Sequence, residues 1–415
     1  MSRSVLWGLR KAALTILFSI FYMPAVSWSA DSDKVQIPDS FRNYTASSEL
    51  SVNYDDLTSV LKRTVLVTGR STREKAERST ASTGTRMKAQ KKVLTALEGN
   101  RFFYEIFKEE ENRIWLTKIR KSLETLPSEA PLDLFNRREQ LAYWLNLYQV
   151  ALLEQLTADP DRKLKDKVVG RKAVFNKKIL DVAGVPLSLN DIQYKILAVN
   201  YADQPLVIYG LHQGYIGSPN IRKAAYTGKY VYEDLEKNAR EFINSNRGTY
   251  STDVKKFRVS SFYKRNKVFF PDFEQDLKRH LYQFISPSYE HKLDRAGKIE
   301  ADIDDWTIVS LTGNSRAYAG SVATSRAAML DAVVSGGPGS GITSESGLGG
   351  SHLADGMAMN NNMESSLRAY GRFDPAEFEI LMQLNKKRME STGSVTVEEV
   401  DKSELSKSKE KEGDK

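Results

Sequence analysis

The residues best able to do chemistry lie in one glycine-containing segment, LHQGYIGSPNIR, at positions 211–222. It contains His212, one of four histidines in the chain, and Ser218 six residues later. A serine hydroxyl becomes a nucleophile when a nearby histidine accepts its proton and a third polar group orients the imidazole. The spacing therefore permits a serine-type hydrolase or acyl transferase, with Ser218 as nucleophile, His212 as base and Gln193 as the orienting group.

The same segment also has the composition of a turn. Ser-Pro pairs often begin turns, and Pro219 lacks the backbone N–H that helps to hold an oxyanion in many acyl-transfer sites. In this second interpretation the loop contributes polar and aromatic side chains to a groove that binds a glycan or a peptide. The predicted binding residues are Gln193, Tyr209, Gln213, Tyr215, Arg222 and Tyr226. Arg222 would hold a carboxylate or phosphate, or pair with an internal aspartate.

No metal site and no cofactor is predicted. The chain has no cysteine, and its other histidines, His280, His291 and His352, are not at ligand spacing. The acidic segment IEADIDDW at 299–306 lacks the glycine and the twelfth-position glutamate of a calcium loop, so it is predicted to cap a helix or a strand end. The motif GGPGSG lacks the lysine and the preceding strand of a phosphate-binding loop. We expect His280 and His291 to be exposed.

The first thirty residues have the order of a secretory signal peptide. A basic start at 1–11 is followed by the apolar run AALTILFSIFYMPAV at 12–26, then by small residues and the charges of DSDK. This run is shorter than the roughly 20 residues that span a bilayer, and no later segment is long and apolar enough. We therefore predict a signal peptide over 1–30 and an exported protein, periplasmic if the host is a diderm bacterium. The alternative is an uncleaved N-terminal anchor.

The chain carries a formal net charge of +8 at neutral pH. Basic and acidic residues are interleaved, which indicates a mixed, solvated surface that makes weak contacts with anionic surfaces of the cell envelope. The sequence contains neither a block of like charges nor a base-stacking motif, so no nucleic-acid partner is predicted. Since an exported chain without cysteine forms no disulfides, its stability must come from an ordinary hydrophobic core.

Apolar periodicity predicts an α+β fold that is mostly helical with a small sheet. The strongest helix is predicted over 137–156, with Asn136 as its N-cap and Asn146 in need of an internal partner. Further helices are predicted within 50–67, 86–126, 232–246 and 271–285, and after a capping box at 188–191. Strands are predicted over 205–210, 257–262 and 305–311, with a hairpin over 177–187 that turns at Ala183-Gly184.

Composition divides the mature chain into three parts. A leader at 31–49 precedes a globular domain at 50–311, and an extension follows at 312–415. The extension is rich in glycine, serine and asparagine, so we predict that it is mostly disordered, with one short helix over 375–389. A third functional hypothesis is that this helix docks on a partner.

Five segments occur in an order that resembles the family called domain of unknown function 547. They are REQLAYWLNLYQVALL at 138–153, PLSLNDIQYKIL at 186–197, the stretch from PLVIYG to AAYTG at 205–228, VSSFYKRNKVFFPDF at 259–273 and DDWTIVSL at 304–311. The resemblance covers roughly 50–311. It implies no reaction by itself, because a fold does not determine a function.

This chain departs from the family at the residues that have invited comparison with cysteine hydrolases. The resemblance places Ile208 where relatives commonly carry a histidine, Gln193 where they carry a glutamate, and Gln213 and Ser218 where they carry loop cysteines. Serine in place of cysteine exchanges a partly ionised thiol for a hydroxyl that needs a stronger base. We therefore predict a non-catalytic binding or scaffold module of the cell envelope. The alternative is the hydrolase or transferase that uses Ser218 and His212.

Overall fold

The computed structural model describes residues 37–73, 77–78, 94–95, 98–158, 174–252, 255–310, 318–319 and 383. In this part of the chain helices predominate and the sheets have two or three strands, which confirms the predicted α+β class. The predicted signal peptide over 1–30 lies outside the described residues. The predicted C-terminal extension and its short helix also lie outside them, apart from 318–319 and 383.

Helices of very different lengths form about half of the described structure. The α-helices are α1 (Asp55–Thr64), α2 (Glu110–Glu129), α3 (Arg137–Ala158), α4 (Leu189–Asp191, continued by a π-helix at Ile192–Leu197 and by Ala198–Asn200), α5 (Val231–Ile243), α6 (Ser261–Arg265), α7 (Phe273–Tyr282) and α8 (Pro287–Asp294). Short 3-10 helices lie at Asp39–Phe41, Tyr104–Lys108, Leu132–Leu134, Val174–Asn176, Pro205–Gly210 and Lys267–Phe269.

The strands are short and form four small sheets. They are β1 (Val65–Leu66), β2 (Glu77–Arg78), β3 (Arg101–Phe102), β4 (Leu180–Val182), β5 (Val185–Leu187), β6 (Thr249–Tyr250), β7 (Lys256–Ser260), β8 (Lys298–Ile303) and β9 (Tyr318–Ala319). The pairs β1–β3, β2–β9 and β4–β5 are antiparallel. In the three-stranded sheet, β7 pairs antiparallel with β6 and parallel with β8, with an irregularity between Val259 and Ser260.

Helix α3 is the centre of the core, and it begins where the sequence predicts. The side-chain oxygen of Asn136 accepts hydrogen bonds from the backbone N–H groups of Arg138 and Glu139, as an N-cap does. Nearly every residue from Glu139 to Leu156 is buried, so the helix is surrounded by protein rather than amphipathic. Because α3 is enclosed, its polar side chains need internal partners.

The predicted hairpin and the capping box are both confirmed. Ala183 and Gly184 both have positive φ angles, 49° and 80°, at the turn between β4 and β5. The Ser188 hydroxyl accepts from the Asp191 backbone N–H, and the Asp191 carboxylate accepts from the Ser188 backbone N–H. Burial alone would raise the pKa of Asp191, but hydrogen bonds from Lys178, Lys195 and Ser188 hold it below its usual range. The start of α4 is therefore fixed by local interactions.

Three predicted elements differ from the structure. The segment Pro205–Gly210 is a 3-10 helix rather than a strand. The segment 305–311 forms only isolated bridges at Ile308 and Ser310, while the strand in this region is β8 at Lys298–Ile303. Within the long helix predicted over 86–126, the described part contains β3 and a 3-10 helix before α2, and α2 continues through Pro127 to Glu129.

Exposure departs from simple apolar patterning at four positions. Ile114, Trp115 and Val199 are apolar residues of helices whose neighbours are buried, yet they are 44%, 54% and 57% exposed. His280, expected on the surface, is only 5% exposed. The π-helical part of α4 changes the angular spacing of the residues that follow it, so Val199 leaves the face that Ile196 occupies.

Gly248 permits a backbone contact that no larger residue would allow. A Cβ added there would lie 1.9 Å from the Phe242 carbonyl oxygen, whereas one added at Gly297 would meet nothing closer than 3.5 Å. We expect Gly248→Ala to lower the free energy of unfolding by roughly 1–3 kcal/mol, the usual cost of forcing extra volume into a packed site. The matched control Gly297→Ala should change it by about 0.5 kcal/mol or less. Urea denaturation of the two variants measures this, and equal effects would contradict it.

Candidate functional site

The loop at 211–222 is buried and anchored to the segment 305–309. The backbone N–H of Ile216 donates to the Thr307 carbonyl at 2.9 Å, and that of Gly217 donates to the Asp305 carbonyl at 3.0 Å. In the opposite direction, Val309 donates to the Gly214 carbonyl at 3.0 Å. Gly214 has a φ angle of 82°, in the region that favours glycine. The loop is therefore held as part of the core.

Ser218 makes structural hydrogen bonds. Its hydroxyl donates to the Tyr215 carbonyl at 2.7 Å and accepts from the Gln213 backbone N–H at 3.2 Å. The residue is 1% exposed. Because its proton is already donated within the loop and solvent does not reach it, this geometry argues against Ser218 as a nucleophile.

His212 faces another partner. Its Nδ1 lies 2.8 Å from the Pro219 carbonyl oxygen, so this nitrogen carries the proton and donates it there. Its Nε2 is buried and has no hydrogen-bond partner among the described residues. Burial lowers the pKa of His212 to about 4, and the nearby Arg247 acts in the same direction. No hydrogen bond among the described residues joins His212 to Ser218, so the predicted pair is not assembled.

Arg247 is a second anchor of the loop. It is 1% exposed, donates to the carbonyl oxygens of Ile216 and Ser218, and forms an ion pair with Glu241. Burial raises the pKa of Glu241, while the Arg247 guanidinium opposes that rise. Arginine suits this place because its planar group donates in several directions while it remains charged. Sequence reasoning missed Arg247, because nothing in the sequence distinguishes it from surface arginines.

The two glutamines of the candidate site lie together and are hydrogen-bonded to neighbouring side chains. Gln213 Nε2 donates to Gln193 Oε1 at 3.3 Å, and Gln193 Nε2 donates to Asn266 Oδ1 at 2.7 Å. The Tyr215 hydroxyl donates to Gln213 Oε1 at 2.9 Å and accepts from Arg265. We call Gln193, Gln213, Tyr215, Asn266 and Arg265 the amide network. Gln193 and Gln213 are 0% and 2% exposed, so the network belongs to the core.

Tyr209 is also internal. Its hydroxyl lies 3.0 Å from His280 Nε2 and 3.1 Å from the Tyr263 hydroxyl, and its ring stacks on His280 at 5.6 Å between centroids. Burial raises the pKa of Tyr209 well above its usual range and lowers that of His280 to about 4. Both groups are therefore neutral at neutral pH.

Arg222 pairs with an internal aspartate, which is one of the two possibilities that the sequence analysis gives for it. Its guanidinium lies 2.7 Å from the Asp234 carboxylate and covers the ring of Tyr226 at 4.5 Å. Burial raises the pKa of Tyr226 to about 12. The Tyr226 backbone exchanges two hydrogen bonds with the Asn146 side chain, at 2.8 and 2.9 Å. Asn146 thus has the partner that its place in α3 requires.

An open groove with a volume of about 640 Å³ is lined in part by His280. Its walls are residues 202–206, helices α5 and α7, and the residues Phe269 and Phe270. The aromatic side chains Tyr232, Phe269, Phe270 and Phe284 line it together with six planar polar groups, Asp203, Gln204, Glu236, Asp276, Arg279 and Gln283. This volume falls in the range of about 300–1,000 Å³ that is usual for ligand pockets.

Sequence reasoning also missed this groove. Tyr232 and Glu236 are one turn apart on α5, and Asp276 and Arg279 lie on the polar side of α7. Each helix has an ordinary amphipathic pattern, and only their packing brings these residues to one concavity. None of the eight predicted site residues lines the groove. Tyr209 contacts it only indirectly, because its hydroxyl is hydrogen-bonded to the lining residue His280.

Neither a metal site nor a membrane span is found within the described residues. In that part of the chain, no group of three or more potential ligands could hold a metal ion. The Asp305 carboxylate accepts from Thr95 and Thr307, so it caps its own loop. No helix of the same residues is long and apolar enough to cross a bilayer.

Comparison with known proteins supports the family resemblance in the middle of the chain. Residues 132–243 match the model of a family described as a protein of unknown function, DUF547. The match contains α3, the hairpin, α4 and the buried loop, and it ends with α5. No curated protein and no solved structure matches the chain.

Proposed function

We propose that this protein is a non-catalytic binding or scaffold module of the cell envelope. The observation that supports it is the amide network. The family resemblance places Ile208, Gln193 and Gln213 where relatives commonly carry a histidine, a glutamate and a cysteine. All three residues are at most 2% exposed. Two of them are hydrogen-bonded to each other instead of facing a substrate.

These side chains lack the chemistry of a hydrolase. A carboxamide neither gains nor loses a proton near neutral pH, so it serves as neither general base nor nucleophile. Ile208 has no polar atom in its side chain. The amide donors and acceptors of Gln193 and Gln213 are engaged with one another and with Asn266 and Tyr215, which makes the arrangement a rigid structural element.

The catalytic alternative would need Ser218 and His212 to act together. The Ser218 hydroxyl and the His212 Nδ1 each hydrogen-bond a backbone carbonyl of the same loop. Bringing them together would break both contacts. No observation favours this alternative over the non-catalytic function.

The variant Ser218→Ala tests whether Ser218 acts as the nucleophile of a serine hydrolase. We expect neither the natural chain nor the variant to be labelled by a fluorophosphonate probe that labels a known serine hydrolase under the same conditions. The variant should lose about 1 kcal/mol of unfolding free energy, because buried carbonyl and N–H groups lose a hydrogen bond. Mass spectrometry detects the covalent label, and urea denaturation measures the free energy of unfolding. Covalent labelling that disappears in the variant would contradict the proposed function.

The cell-envelope location rests on the N-terminal sequence. The basic start and the apolar run at 12–26 support export, and this region lies outside the described residues. We expect expression in a diderm bacterium to yield a chain in the periplasmic fraction that lacks about 30 N-terminal residues. N-terminal sequencing of the fractionated protein tests this, and an intact N-terminus on a cytoplasmic product would contradict it.

A further inference from the structure

We propose that the exported chain rests on a lipid bilayer through an apolar surface at the start of α3. Five of the nine large apolar side chains that are exposed in the described residues form this surface, namely Tyr44, Leu50, Leu134, Val199 and Tyr230. We call these five side chains the apolar rim. Exposed apolar side chains that cluster in this way mark a contact with another protein or with a membrane. The inference rests on the proposed function in one respect, since export is what brings the chain to a membrane.

Tyr44 and Leu134 are held close together just before α3 begins. Thr45, the residue after Tyr44, donates from its backbone N–H to the Phe135 carbonyl at 3.1 Å. Its hydroxyl donates to the Asp133 carbonyl at 2.8 Å. Leu134 lies between these two acceptors in the sequence, so the same two hydrogen bonds fix both members of the apolar rim.

Leu50 and Tyr230 lie near one carboxylate in the first turn of α3, that of Glu139. Its two oxygens accept from the backbone N–H groups of Val52 and Gly228, both at 3.0 Å. Leu50 is two residues before Val52, and Tyr230 is two residues after Gly228. The buried Glu139 therefore joins both segments to the same end of the helix.

Val199 completes the apolar rim at the end of α4. The carbonyl of the next residue, Asn200, accepts from Arg137, the first residue of α3, and the Asn200 amide donates to the Phe41 carbonyl at 2.7 Å. Each of the five side chains thus lies within two residues of a group that belongs to the segment 133–139 or is hydrogen-bonded to it. The apolar rim is therefore one surface rather than five scattered residues.

The opposite end of α3 provides a matched control. Trp115 on α2 is 54% exposed, as much as the members of the apolar rim. Two residues later, the Thr117 hydroxyl donates at 2.7 Å to the carboxylate of Glu154, near the end of α3. Fifteen residues of helix from Glu139 to Glu154 correspond to about 22 Å. Trp115 is therefore an equally exposed apolar side chain that lies far from the apolar rim.

The course of the chain identifies a lipid bilayer as the occupant. Ile37, the first described residue, is seven residues before Tyr44 of the apolar rim. Ten residues, 27–36, separate Ile37 from the apolar run at 12–26, and ten residues of chain reach at most about 35 Å. A membrane that holds this run during export is thus within reach of the apolar rim. Cleavage near position 30 releases the chain beside that same membrane.

The chemistry of the surface suits the interface between lipid and water. A tyrosine there buries its ring among apolar groups while its hydroxyl stays in water. Arg42 and Lys229 are exposed and form no ion pair within the described residues, so they can extend towards lipid phosphates. Glu49 and Asp133 carry the opposite charge in the same region. The contact therefore depends mainly on apolar groups, and we expect it to change little with salt.

The chain has no cysteine, so single thiols can carry a fluorescent probe. Leu50→Cys and Leu134→Cys place the thiol in the apolar rim, and Trp115→Cys places it at the far end of α3. Each is labelled with a nitrobenzoxadiazole dye, whose emission rises in apolar surroundings. We expect phosphatidylcholine liposomes to raise the emission at least about twofold at positions 50 and 134 and less than about 1.2-fold at position 115. All three are full chains, and tethering by the apolar run alone would leave every probe in water.

Paired double variants test the side chains themselves. Val199→Ser with Tyr230→Ser removes two members of the apolar rim, whereas Ile114→Ser with Trp115→Ser removes two exposed apolar side chains outside it. With the probe at position 134, we expect the first pair to reduce the lipid-dependent rise in emission by about half or more, and the second pair by less than about a tenth. Thermal melts confirm that both variants are folded.

The outcomes separate this inference from the proposed function. Equal changes of emission at the three probe positions, no change at any of them, or equal effects of the two double variants would overturn the membrane contact. A rise at positions 50 and 134 that needs no lipid and grows with protein concentration would also overturn it, because a second copy of the chain would then cover the apolar rim. Labelling by the fluorophosphonate probe and an intact N-terminus remain the outcomes that contradict the proposed function.

Discussion

Replacing Arg247 with methionine is expected to lower the free energy of unfolding by about 3–5 kcal/mol. The change leaves the Glu241 carboxylate without its cation in a place where burial already raises the pKa of that group. It also removes the donors that the carbonyl oxygens of Ile216 and Ser218 accept from. The arginine thus stabilises the helix that carries Glu241 and the loop that carries Ser218. Urea denaturation at neutral pH measures the loss.

Two controls separate the buried ion pair from a general effect of removing an arginine. Arg258→Met breaks an exposed pair with Asp302 and should cost about 1 kcal/mol or less. Adding Glu241→Leu to Arg247→Met should recover part of the loss, because it removes the unpaired charge. A loss at Arg247 no larger than at Arg258 would mean that the loop does not depend on this contact.

Elements decided by neighbouring residues could be predicted from the sequence. The N-cap at Asn136, the capping box that starts at Ser188 and the turn at Ala183-Gly184 each involve residues within three positions of one another. Such interactions form in the same way in many folds, so their residue types suffice to identify them. The fold class follows from the same local patterns.

Elements decided by long-range packing could not be predicted. The apolar run at 205–210 predicts a strand, because periodicity alone does not distinguish a short buried strand from a short buried helix. It is a 3-10 helix packed against α5. His280 was expected to be exposed because Lys278 and Arg279 precede it, yet it lies three residues after Leu277 and shares its buried face. Helical spacing was the better signal there.

The candidate site shows the same limit. The sequence analysis predicts Gln193, Gln213 and Tyr215 as ligand-binding residues, and the structure joins them in one hydrogen-bonded network. Their burial could not be predicted from the sequence, because their partners are distant along the chain. Arg265, at the end of α6, lies 50 residues after Tyr215, and Asn266, in the turn that follows, lies 73 residues after Gln193. The same dependence on packing explains why a polar, aromatic loop that resembles a binding surface is instead a part of the core.

Acid is expected to destabilise the protein through its two buried histidines. His212 and His280 have pKa values of about 4 in the folded chain, against an ordinary value of 6.5. Since the unfolded chain binds these protons first, the free energy of unfolding changes little above pH 6.5 and falls as the pH decreases from there towards 4. Between pH 7 and pH 5 the loss is about 2 kcal/mol for each histidine.

His212→Asn and His280→Gln isolate this contribution. Each replacement keeps an amide N–H near the ring nitrogen that contacts Pro219 or Tyr209, and neither side chain titrates. Glu139 and Glu241, whose pKa values are raised by burial, act in the opposite direction, so the informative quantity is the difference between variant and natural chain. We expect each variant to be less stable than the natural chain at pH 7 and to lose about 2 kcal/mol less between pH 7 and pH 5. Urea denaturation at both pH values measures this. Parallel losses in all three proteins would show that these histidines bind protons equally well in the folded and unfolded chains, and would remove their burial as the reason for acid sensitivity.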